Sequence, residues 1–538
     1  MKADYLLKSN AIFTSNEDRP FAGGVAVSGN RIAAVLRGDE VDQYEAETVL
    51  DYGDKMIMPG FVDAHDHYFF GAISASEYVC NEVADSTSEA EAVRIMKEHA
   101  DAHPDHKRYV GVGWFPSTWN DAPLPTKESL DEVFPDRPVY MICADFHTFW
   151  MNSKALEEAG ITADMKPRSG RVGVDENGEM NGLLFEPDAF LPAMNMVHDF
   201  EPEIFMQINE AFLAGIAQYG VTSLSEMAAD PYVDKVHKKY QTMKQMDKEG
   251  RLNARLHIFT DLIGCEFDAA NAWREEFSSE KFRVCGVKGF IDGATSTYSA
   301  LLLEPYADRP DTCGLNVPNF PPEVMGEAVV KANAAGLPVR IHCSDEGSVR
   351  MALDFYQASR EANGPHGLKN TVEHIETIHP DDIPRFKELD VIPSMQPLHL
   401  PLDVMEKPRR VGMERCRWEW AHRSLLDAGA KLAFGTDYPV VDFNPYPTLY
   451  AAMTRCNEDG TPASVNPEEC ITLAESLIAY TKDAAAAYSR DDIGVLEEGK
   501  LADIIVVNKN LFELTPEEIN NCQTDMTMFD GNIIFERK

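Results

Sequence analysis

A short apolar run in this chain ends in two histidines, Met58-Pro59-Gly60-Phe61-Val62-Asp63-Ala64-His65-Asp66-His67. The run is typical of the end of a buried β-strand, and residues two apart on a strand point to the same face. His65 and His67 can therefore turn both imidazoles toward one divalent metal ion. A pair with this spacing is common without any metal, so the prediction depends on what the rest of the chain places beside it.

Outward from this run, the middle of the chain alternates apolar strands with helical stretches such as residues 323–335 and 349–362. This alternation is typical of a parallel sheet with crossover helices, and eight such strands close into a (β/α)8 barrel. We expect a barrel domain over residues 56–489. Its eight predicted strands are residues 56–63, 222–225, 255–260, 284–290, 338–342, 370–374, 391–394 and 431–435.

The gap between the first two predicted strands is too long for one helix, so residues from about 70 to 210 are expected to form an inserted subdomain. It has strands of its own over residues 109–113 and 139–143. Its aromatic residues favour a cap that decides substrate choice. We expect His147 and Trp114 to bind substrate there; the alternative for both is packing in the core of the subdomain.

Both ends of the chain are rich in short strands. Residues 24–27 and 31–35 flank the turn Ser28-Gly29-Asn30, which is a hairpin signal, and residues 503–508 and 531–535 continue in the same style. Residues 1–55 and 490–538 therefore predict one small β-sandwich domain made from both termini.

Composition excludes several classes of partner. The net charge is −40, so nucleic acid and anionic membranes are poor partners. No apolar run approaches the roughly 20 residues that span a bilayer, and the start lacks a secretory signal. The ten cysteines include no CxxC pair, so we expect reduced thiols and a cytoplasmic protein. We expect a small-molecule substrate and leave the oligomeric state open, a homodimer being the commonest outcome.

Polar side chains follow the predicted strands at the end where (β/α)8 enzymes carry their active sites. The chain has only 15 histidines, yet four lie at predicted strand ends. Singly, a strand lysine is usually a solvated edge residue and an aspartate after Gly-Thr a turn or helix cap. Together they predict one metal site. Its six ligands are His65, His67, Lys288, His342, His374 and Asp437.

The order of these ligands, on strands one, four, five, six and eight, resembles the binuclear type of the amidohydrolase superfamily. Finer phrases resemble its YtcJ-like branch, typified by N-substituted formamide deformylase. They are residues 58–65, 287–293, 304–306, 435–440 and 499–504 and, in the insert, residues 113–114, 147, 152–156 and 182–186. The chain departs from the branch's usual residues at positions 115–116, 294–297 and 342–345, so the resemblance does not carry a relative's substrate to this chain.

The resemblance implies two divalent metal ions, zinc first and manganese as the alternative, and a CO2-derived carboxyl group on Lys288 that bridges them. We assign His65, His67 and Asp437 to the more buried ion, and His342 and His374 to the more exposed one. A hydroxide shared by the ions would then attack an amide-type C–N bond in an N-formyl, N-acyl or cyclic amide. Asp437 would act as general base and afterwards as general acid.

Two further carboxylates stand near the predicted ligands in the sequence. Asp292 lies four residues after Lys288, and Asp345 lies three residues after His342. Each is predicted to orient a ligand histidine by a hydrogen bond. The alternative for each is a helix cap.

Two other functions compete with the binuclear hydrolase. A mononuclear deaminase of the same superfamily places a glutamate three residues after the fifth-strand histidine and needs no lysine on strand four; this chain has Asp345 and Lys288 there. A non-catalytic scaffold on the same fold would have lost metal ligands, whereas all six positions are filled here. The fold by itself does not decide between these functions.

Overall fold

The structure is a computed structural model, which describes residues 2–119, 123–144, 148–167, 170–227, 233–263, 267–314, 321–402 and 407–538. The strands, in chain order, are β1 (Ala3–Ile12), β2 (Phe21–Ser28), β3 (Arg31–Arg37), β4 (Ala46–Asp51), β5 (Met56–Pro59), β6 (Phe61–Val62), β7 (Val79–Cys80), β8 (Tyr109–Trp114), β9 (Val139–Cys143), β10 (Thr148–Met151), β11 (Arg171–Val174), β12 (Met180–Phe185), β13 (Val221–Glu226), β14 (Arg255–Asp261), β15 (Phe282–Phe290), β16 (Val339–Cys343), β17 (Thr371–His374), β18 (Ile392–Met395), β19 (Ala433–Phe434), β20 (Ile504–Val507), β21 (Thr524–Phe529) and β22 (Asn532–Glu536).

The helices cover most of the remaining described chain. In order they are α1 (Tyr68–Ser74), α2 (Glu89–Ala102), α3 (Lys127–Val133), α4 (Ser153–Ala159), α5 (Pro187–Val197), α6 (Pro202–Ala217), α7 (Val233–Lys248), α8 (Phe267–Glu276), α9 (Pro322–Ala334), α10 (Glu346–Asn363), α11 (Ile383–Leu389), α12 (Lys407–Val411), α13 (Met413–Cys416), α14 (His422–Asp427), α15 (Pro445–Thr454), α16 (Leu473–Ala479), α17 (Lys482–Ala487) and α18 (Pro516–Asn520). Among these described helices, none combines the length and the apolar character that crossing a membrane requires.

Eight parallel strands form a barrel in the order β6-β13-β14-β15-β16-β17-β18-β19. The side between the first and last strands is bridged by a hydrogen bond from the Ala64 N–H to the Phe434 carbonyl, 2.9 Å long. Strands β13, β17 and β18 are buried along their whole length, as expected where helices cover a parallel sheet. The predicted (β/α)8 barrel is confirmed.

The first predicted barrel strand, residues 56–63, is two strands in the structure. β5 pairs with β1 and β20 of the terminal sheet, and only β6 belongs to the barrel. The chain passes from one sheet to the other at Gly60, where a Cβ would lie 2.3 Å from Thr222 Oγ1. The split depends on this close approach to a residue far away in the chain, so the continuous apolar run did not reveal it.

The two ends of the chain form one hydrogen-bonded sheet of eight strands, in the order β22-β21-β20-β5-β1-β2-β3 with β4 beside β1. Apolar side chains from both ends share its core, for example Val25, Ile57 and Val506. The sheet is tied to the barrel by Arg255 of β14, whose buried guanidinium donates to Asp503 at 2.6 and 2.9 Å. The predicted contribution of both termini to one β-structure is confirmed.

The chain divides into two compact units, a main unit of residues 1–68 and 213–538 and an inserted unit of residues 69–212. The inserted unit has its own six-stranded sheet in the order β11-β12-β10-β9-β8-β7. Its core contains Trp114, Trp119 and Trp150, whose ring centroids lie 5.6 to 6.4 Å apart. This unit therefore packs around apolar residues of its own.

Candidate metal centre

The two histidines of the opening stretch and Asp437 meet at the carboxyl ends of the barrel strands. His65 and His67 follow β6, and Asp437 follows β19. Asp437 Oδ1 lies 3.4 Å from His65 Nε2 and 3.2 Å from His67 Nε2. One ligand atom from each of the three residues lies within 4.8 Å of the others. The structure thus brings together the three residues that we assigned to the more buried ion.

A second cluster of possible metal ligands also contains Asp437, and it includes a histidine that no sequence pattern marked. His374 at the end of β17 and His399 in the 3-10 helix Pro397–Leu402 also hold ligand atoms within 4.8 Å of one another and of Asp437. The His399 ring donates from Nε2 to the Thr436 carbonyl at 3.2 Å. Its sequence signal was only its position shortly after the seventh predicted strand.

His342 and Lys288 complete the predicted set. The His342 ring, on β16, lies 4.4 Å from the His374 ring between centroids, and its Nε2 is 3.2 Å from the Gly293 carbonyl, which leaves Nδ1 for a metal. Lys288, in the middle of β15, is fully buried. Its ammonium is near enough for its charge to lower the pKa of both His65 and His342. All six predicted ligands therefore belong to one mouth of the barrel.

Two ligand histidines are oriented by partners that the sequence analysis did not name. His65 Nδ1 donates to Glu373 Oε2 at 2.6 Å, and Arg340 in turn donates to Glu373 at 2.7 and 3.1 Å. His374 Nδ1 donates to Gln396 Oε1 at 2.9 Å. Such partners fix the tautomer and the direction of a metal-binding imidazole. The nitrogen of His65 that remains, Nε2, faces Asp437.

The ends of the first and last barrel strands are held together by Asp63. Its carboxylate accepts from the N–H of Thr436 at 3.0 Å, from the Thr436 hydroxyl at 2.8 Å and from the N–H of His65 at 3.2 Å. His374 and Asp437 adopt φ of 74° and 58°, in the left-handed region that costs a residue with a side chain about 1–3 kcal/mol. Strain of this kind is typical of functional sites.

The electrostatics of the mouth favour metal-binding protonation states. Burial, with the Lys288 charge beside it, lowers the pKa of His65 to about 3. Burial also lowers the pKa of Lys288 to about 8. Burial acts to raise the pKa of Asp437, but His65, His67 and His374 hold it well below its usual range. Neutral imidazoles beside an ionised carboxylate are the forms in which these groups bind metals.

The atoms left without partners test whether these residues fit a divalent ion. His65 Nε2, Lys288 Nζ and Asp437 Oδ1 are buried and have no hydrogen bond to any residue that the structure describes. Buried polar atoms are nearly always paired, and an ion is one explanation of a set that is not. Imidazole and carboxylate donors suit Zn2+ and also Mn2+. The residues therefore fit a divalent metal, and these donor groups are compatible with either Zn2+ or Mn2+.

Asp292 and Asp345 are placed differently from the expectation that each hydrogen-bonds to a ligand histidine. Asp292 accepts from the N–H of Leu301 and of Ser344 at 2.9 Å each, and its Oδ1 is 3.7 Å from His342 Nε2, beyond hydrogen-bond distance. Asp292 therefore organises the loops beside His342.

Asp345 occupies the N-cap position of α10, but its side chain makes no capping bond. Its carboxylate accepts from Thr295 and Thr377 at 2.7 Å each and lies 3.7 Å from Lys407 Nζ. Lys407 is buried and also pairs with Glu376. Burial acts to lower the pKa of Lys407, but the two carboxylates raise it above its usual value. No sequence pattern marked Lys407 and Glu376, which hold Asp345 in a charged network.

The two residues predicted to bind substrate have different outcomes. Trp114 is fully buried in the core of the inserted unit, which is the placement that a packing role requires. His147 lies outside the described residues. Substrate binding by either residue stays a prediction.

Comparisons with known proteins agree with the barrel fold. Residues 48–535 match the family model described as "Amidohydrolase family". The chain is 28% identical over 536 residues to Protein LONG AFTER FAR-RED 3 of Arabidopsis thaliana, covering 96% of this chain and 89% of the relative. It is 26% identical over 552 residues to N-substituted formamide deformylase of Arthrobacter pascens, covering 99% and 98%.

A solved structure extends the comparison. A metal-dependent hydrolase from Pyrococcus furiosus superposes with a TM-score of 0.74 at 25% identity, covering 95% of this chain and 99% of that one. The deformylase match spans nearly the whole of both chains, and with the family match it confirms the predicted resemblance.

Proposed function

The chain belongs to the amidohydrolase family, and from this premise we propose that it is an enzyme that hydrolyses the C–N bond of a small amide with the help of divalent metal. The substrate class we propose is an N-formyl, N-acyl or cyclic amide. The deformylase named among the relatives supports an amide substrate, and the filled set of ligands supports an active enzyme over a scaffold.

The observation that carries the proposal is the buried amine of Lys288 among histidines and carboxylates. A lysine ammonium with no hydrogen bond to the described residues is costly to bury. With its pKa lowered to about 8 by burial, about a tenth of the amine is neutral near pH 7, far more than for a lysine with an ordinary pKa. A neutral amine can add to CO2 and lose a proton, which yields a carbamate. Lys288 would then supply an anionic bridge instead of an unpaired cation.

Two ions are proposed for the mouth. His65, His67 and Asp437 would hold one, and His342 with His374 the other, with zinc as the first candidate and manganese as the second. When bound, such ions polarise a carbonyl group and lower the pKa of water toward about 7. His399 would lie beside the ligands of both ions, because it clusters with Asp437, a ligand of the first ion, and with His374, a ligand of the second.

Asp437 is proposed to move the proton. Its Oδ1 is buried, faces Nε2 of His65 and of His67, and accepts no hydrogen bond within the described part of the chain. Its Oδ2 lies 3.9 Å from His374 Nδ1. It would accept a proton from the attacking water and donate it to the leaving nitrogen, which needs a proton to depart as an amine. The left-handed backbone at Asp437 and the N–H bond to the His65 carbonyl aim this group into the mouth.

The mononuclear deaminase is disfavoured by the placement of Asp345. In that mechanism the carboxylate three residues after the fifth-strand histidine must reach the reacting atoms. Here both oxygens of Asp345 accept hydrogen bonds from threonines, and Lys407 lies beside one of them. A group so occupied is poorly placed for proton transfer to a substrate.

A hydrolysis screen tests the proposal. Metal-stripped protein, reloaded with Zn2+ or Mn2+, is assayed on N-formylamines, N-acyl amino acids, lactams, esters and aminopurines. We expect turnover of at least one amide that chelation abolishes and metal restores, with none in the matched Lys288→Ala protein. Release of ammonia from the aminopurines, with no turnover of any amide, would support the deaminase instead.

A further inference from the structure

Three histidines of the inserted unit form a cluster that the proposed hydrolysis does not use. His99, His103 and His106, which we call the histidine trio, lie within eight residues of one another. His99 lies in the last turn of α2, and His103 follows the helix as its C-cap. The His103 N–H donates to the His99 carbonyl at 3.0 Å, and the His106 N–H donates to the His103 carbonyl at 3.2 Å. The backbone therefore turns all three rings to one place.

Two of the three ring separations are close to what one shared ion would need. The centroid distances are 4.7 Å for His99 to His103, 4.7 Å for His103 to His106 and 6.2 Å for His99 to His106. Two imidazoles bound at tetrahedral angles, with metal–nitrogen bonds of about 2.0–2.1 Å, have centroids about 5 Å apart. The rings of His65 and His67, which we assign to one ion at the barrel mouth, lie 5.8 Å apart between centroids, a value within the range of the trio.

Two donor atoms of the trio also lack hydrogen-bond partners among the described residues. His99 Nε2 and His106 Nδ1 are buried and form no hydrogen bond within the described chain. In the present rotamers the donors do not all lie within 4.8 Å of one another, as those of the two barrel groups do. A half-turn of an imidazole about χ2 exchanges its nitrogen and carbon positions and leaves the ring where it is, so donors can be redirected without moving the rings. The His106 ring is stacked on Tyr78, with centroids 4.4 Å apart, and this packing holds the plane of the His106 ring in place.

Carboxylates surround the trio and favour a cation over an anion. Glu77 Oε2 lies 3.9 Å from His103 Nδ1. Burial and the neighbouring His103 lower the pKa of His99 and of His106, while Glu82 acts on His99 and Glu77 on His106 in the opposite sense. The lowered pKa values of His99 and His106 favour their neutral forms, and a neutral imidazole is the form that binds metal.

We propose that the histidine trio, with Glu77 as a fourth ligand, is a second transition-metal site of this protein. Three imidazoles select Zn2+, Ni2+ or Cu2+ over Mg2+ and Ca2+, which prefer oxygen ligands. The ion would fasten the end of α2 to the loop that enters β8, so its role would be to brace the inserted unit. The site does not depend on the proposed hydrolytic function.

Zinc binding by the full-length chain tests the proposal. Metal-stripped wild type, His103→Ala and His366→Ala are titrated with Zn2+, and the metal retained after gel filtration is measured per chain. His366 is the matched control, because it is a partly buried histidine outside both clusters. We expect His103→Ala to retain one equivalent fewer than wild type, and His366→Ala to match wild type. Equal retention by all three folded proteins would overturn the proposal.

A second measurement decides the matter on wild type, even if His103→Ala does not fold. Histidines are labelled with diethyl pyrocarbonate with and without Zn2+, and the labelled peptides are mapped by mass spectrometry. We expect Zn2+ to protect His99, His103 and His106 but not His366. If zinc protects the barrel histidines and leaves the trio labelled as in the stripped protein, then the trio is not a metal site.

Discussion

The barrel mouth and the histidine trio both gather imidazoles to within a few ångströms, but they hold them in different ways. At the mouth, the second nitrogen of His65 is fixed by Glu373 and that of His374 by Gln396. In the trio, the His106 ring stacks on His103 and on Tyr78, and two buried nitrogens have no hydrogen bond among the described residues. The mouth draws its ligands from strands far apart in the chain, whereas the trio comes from one helix end.

This difference indicates the role to which each region is suited. Catalysis needs ligands held in one direction, and the mouth meets this need with oriented imidazoles and with left-handed backbone at His374 and Asp437. The trio has no such orientation and suits an ion that only braces the fold. We therefore expect substitutions at the mouth to change the rate of reaction, and substitutions in the trio to change metal content and stabilisation by zinc but not the rate.

The largest effect is expected at Lys288. Lys288→Ala removes the proposed bridge between two ions, and activity should fall by roughly 1,000-fold or more, since metal-based charge stabilisation contributes several kcal/mol. A short carboxylic acid added to the assay should restore part of it. The measurement is kcat/KM on the substrate found in the screen, with the exposed Lys331→Ala as control. Full activity in Lys288→Ala would refute the bridge.

The next effect concerns proton transfer. Asp437→Asn keeps the shape of the side chain but cannot carry a proton, so kcat should fall by roughly 100-fold or more while most of the metal is retained. The exposed Asp427→Asn serves as the control. A kcat within a few-fold of wild type, with metal intact, would assign the proton to another group, and Asp345 or His342 would be examined first.

A smaller effect should follow from removing one orienting partner. Gln396→Met keeps the size of the side chain but removes the oxygen that accepts from His374 Nδ1. The affinity for Zn2+ should weaken by roughly 10- to 100-fold, the range found when such partners are lost. Competition with a chromophoric chelator measures it, and the exposed Gln357→Met is the control. Unchanged affinity would mean that His374 needs no orientation to bind metal.

The smallest effect on rate is expected from the trio. His103→Ala should change kcat/KM of the metal-loaded enzyme by less than about two-fold, because none of the groups assigned to the chemistry belongs to it. When Zn2+ is added, its thermal unfolding temperature should nevertheless rise less than that of wild type. A large loss of kcat with an unchanged response to zinc would mean that the trio affects the reaction and is not a zinc site.

Sequence patterns predicted the parts of the molecule that repeat or that follow a strand. The alternation of strands and helices predicted the barrel. The positions after predicted strands indicated that five side chains share one site: His65, His67, His342, His374 and Asp437. His399 was missed because it lies within a 3-10 helix after β18, where no periodicity marks it.

What could not be predicted depends on contacts between distant residues. The pair of Glu373 with His65 requires the register across the barrel, and the pair of Lys407 with Glu376 requires the path of a loop. The division of the first predicted strand at Gly60 depends on Thr222 lying close by. Local propensity does not contain these contacts, so a single sequence does not show them.

Anomalous diffraction from crystals grown with Zn2+ tests the central claim, that the barrel mouth is a metal centre, most directly. We expect anomalous peaks within bonding distance of His65, His67 and Asp437 and of His342 and His374, with added density on Lys288 Nζ. The claim would be contradicted by zinc peaks elsewhere in the same crystals, the histidine trio included, and none within bonding distance of these residues.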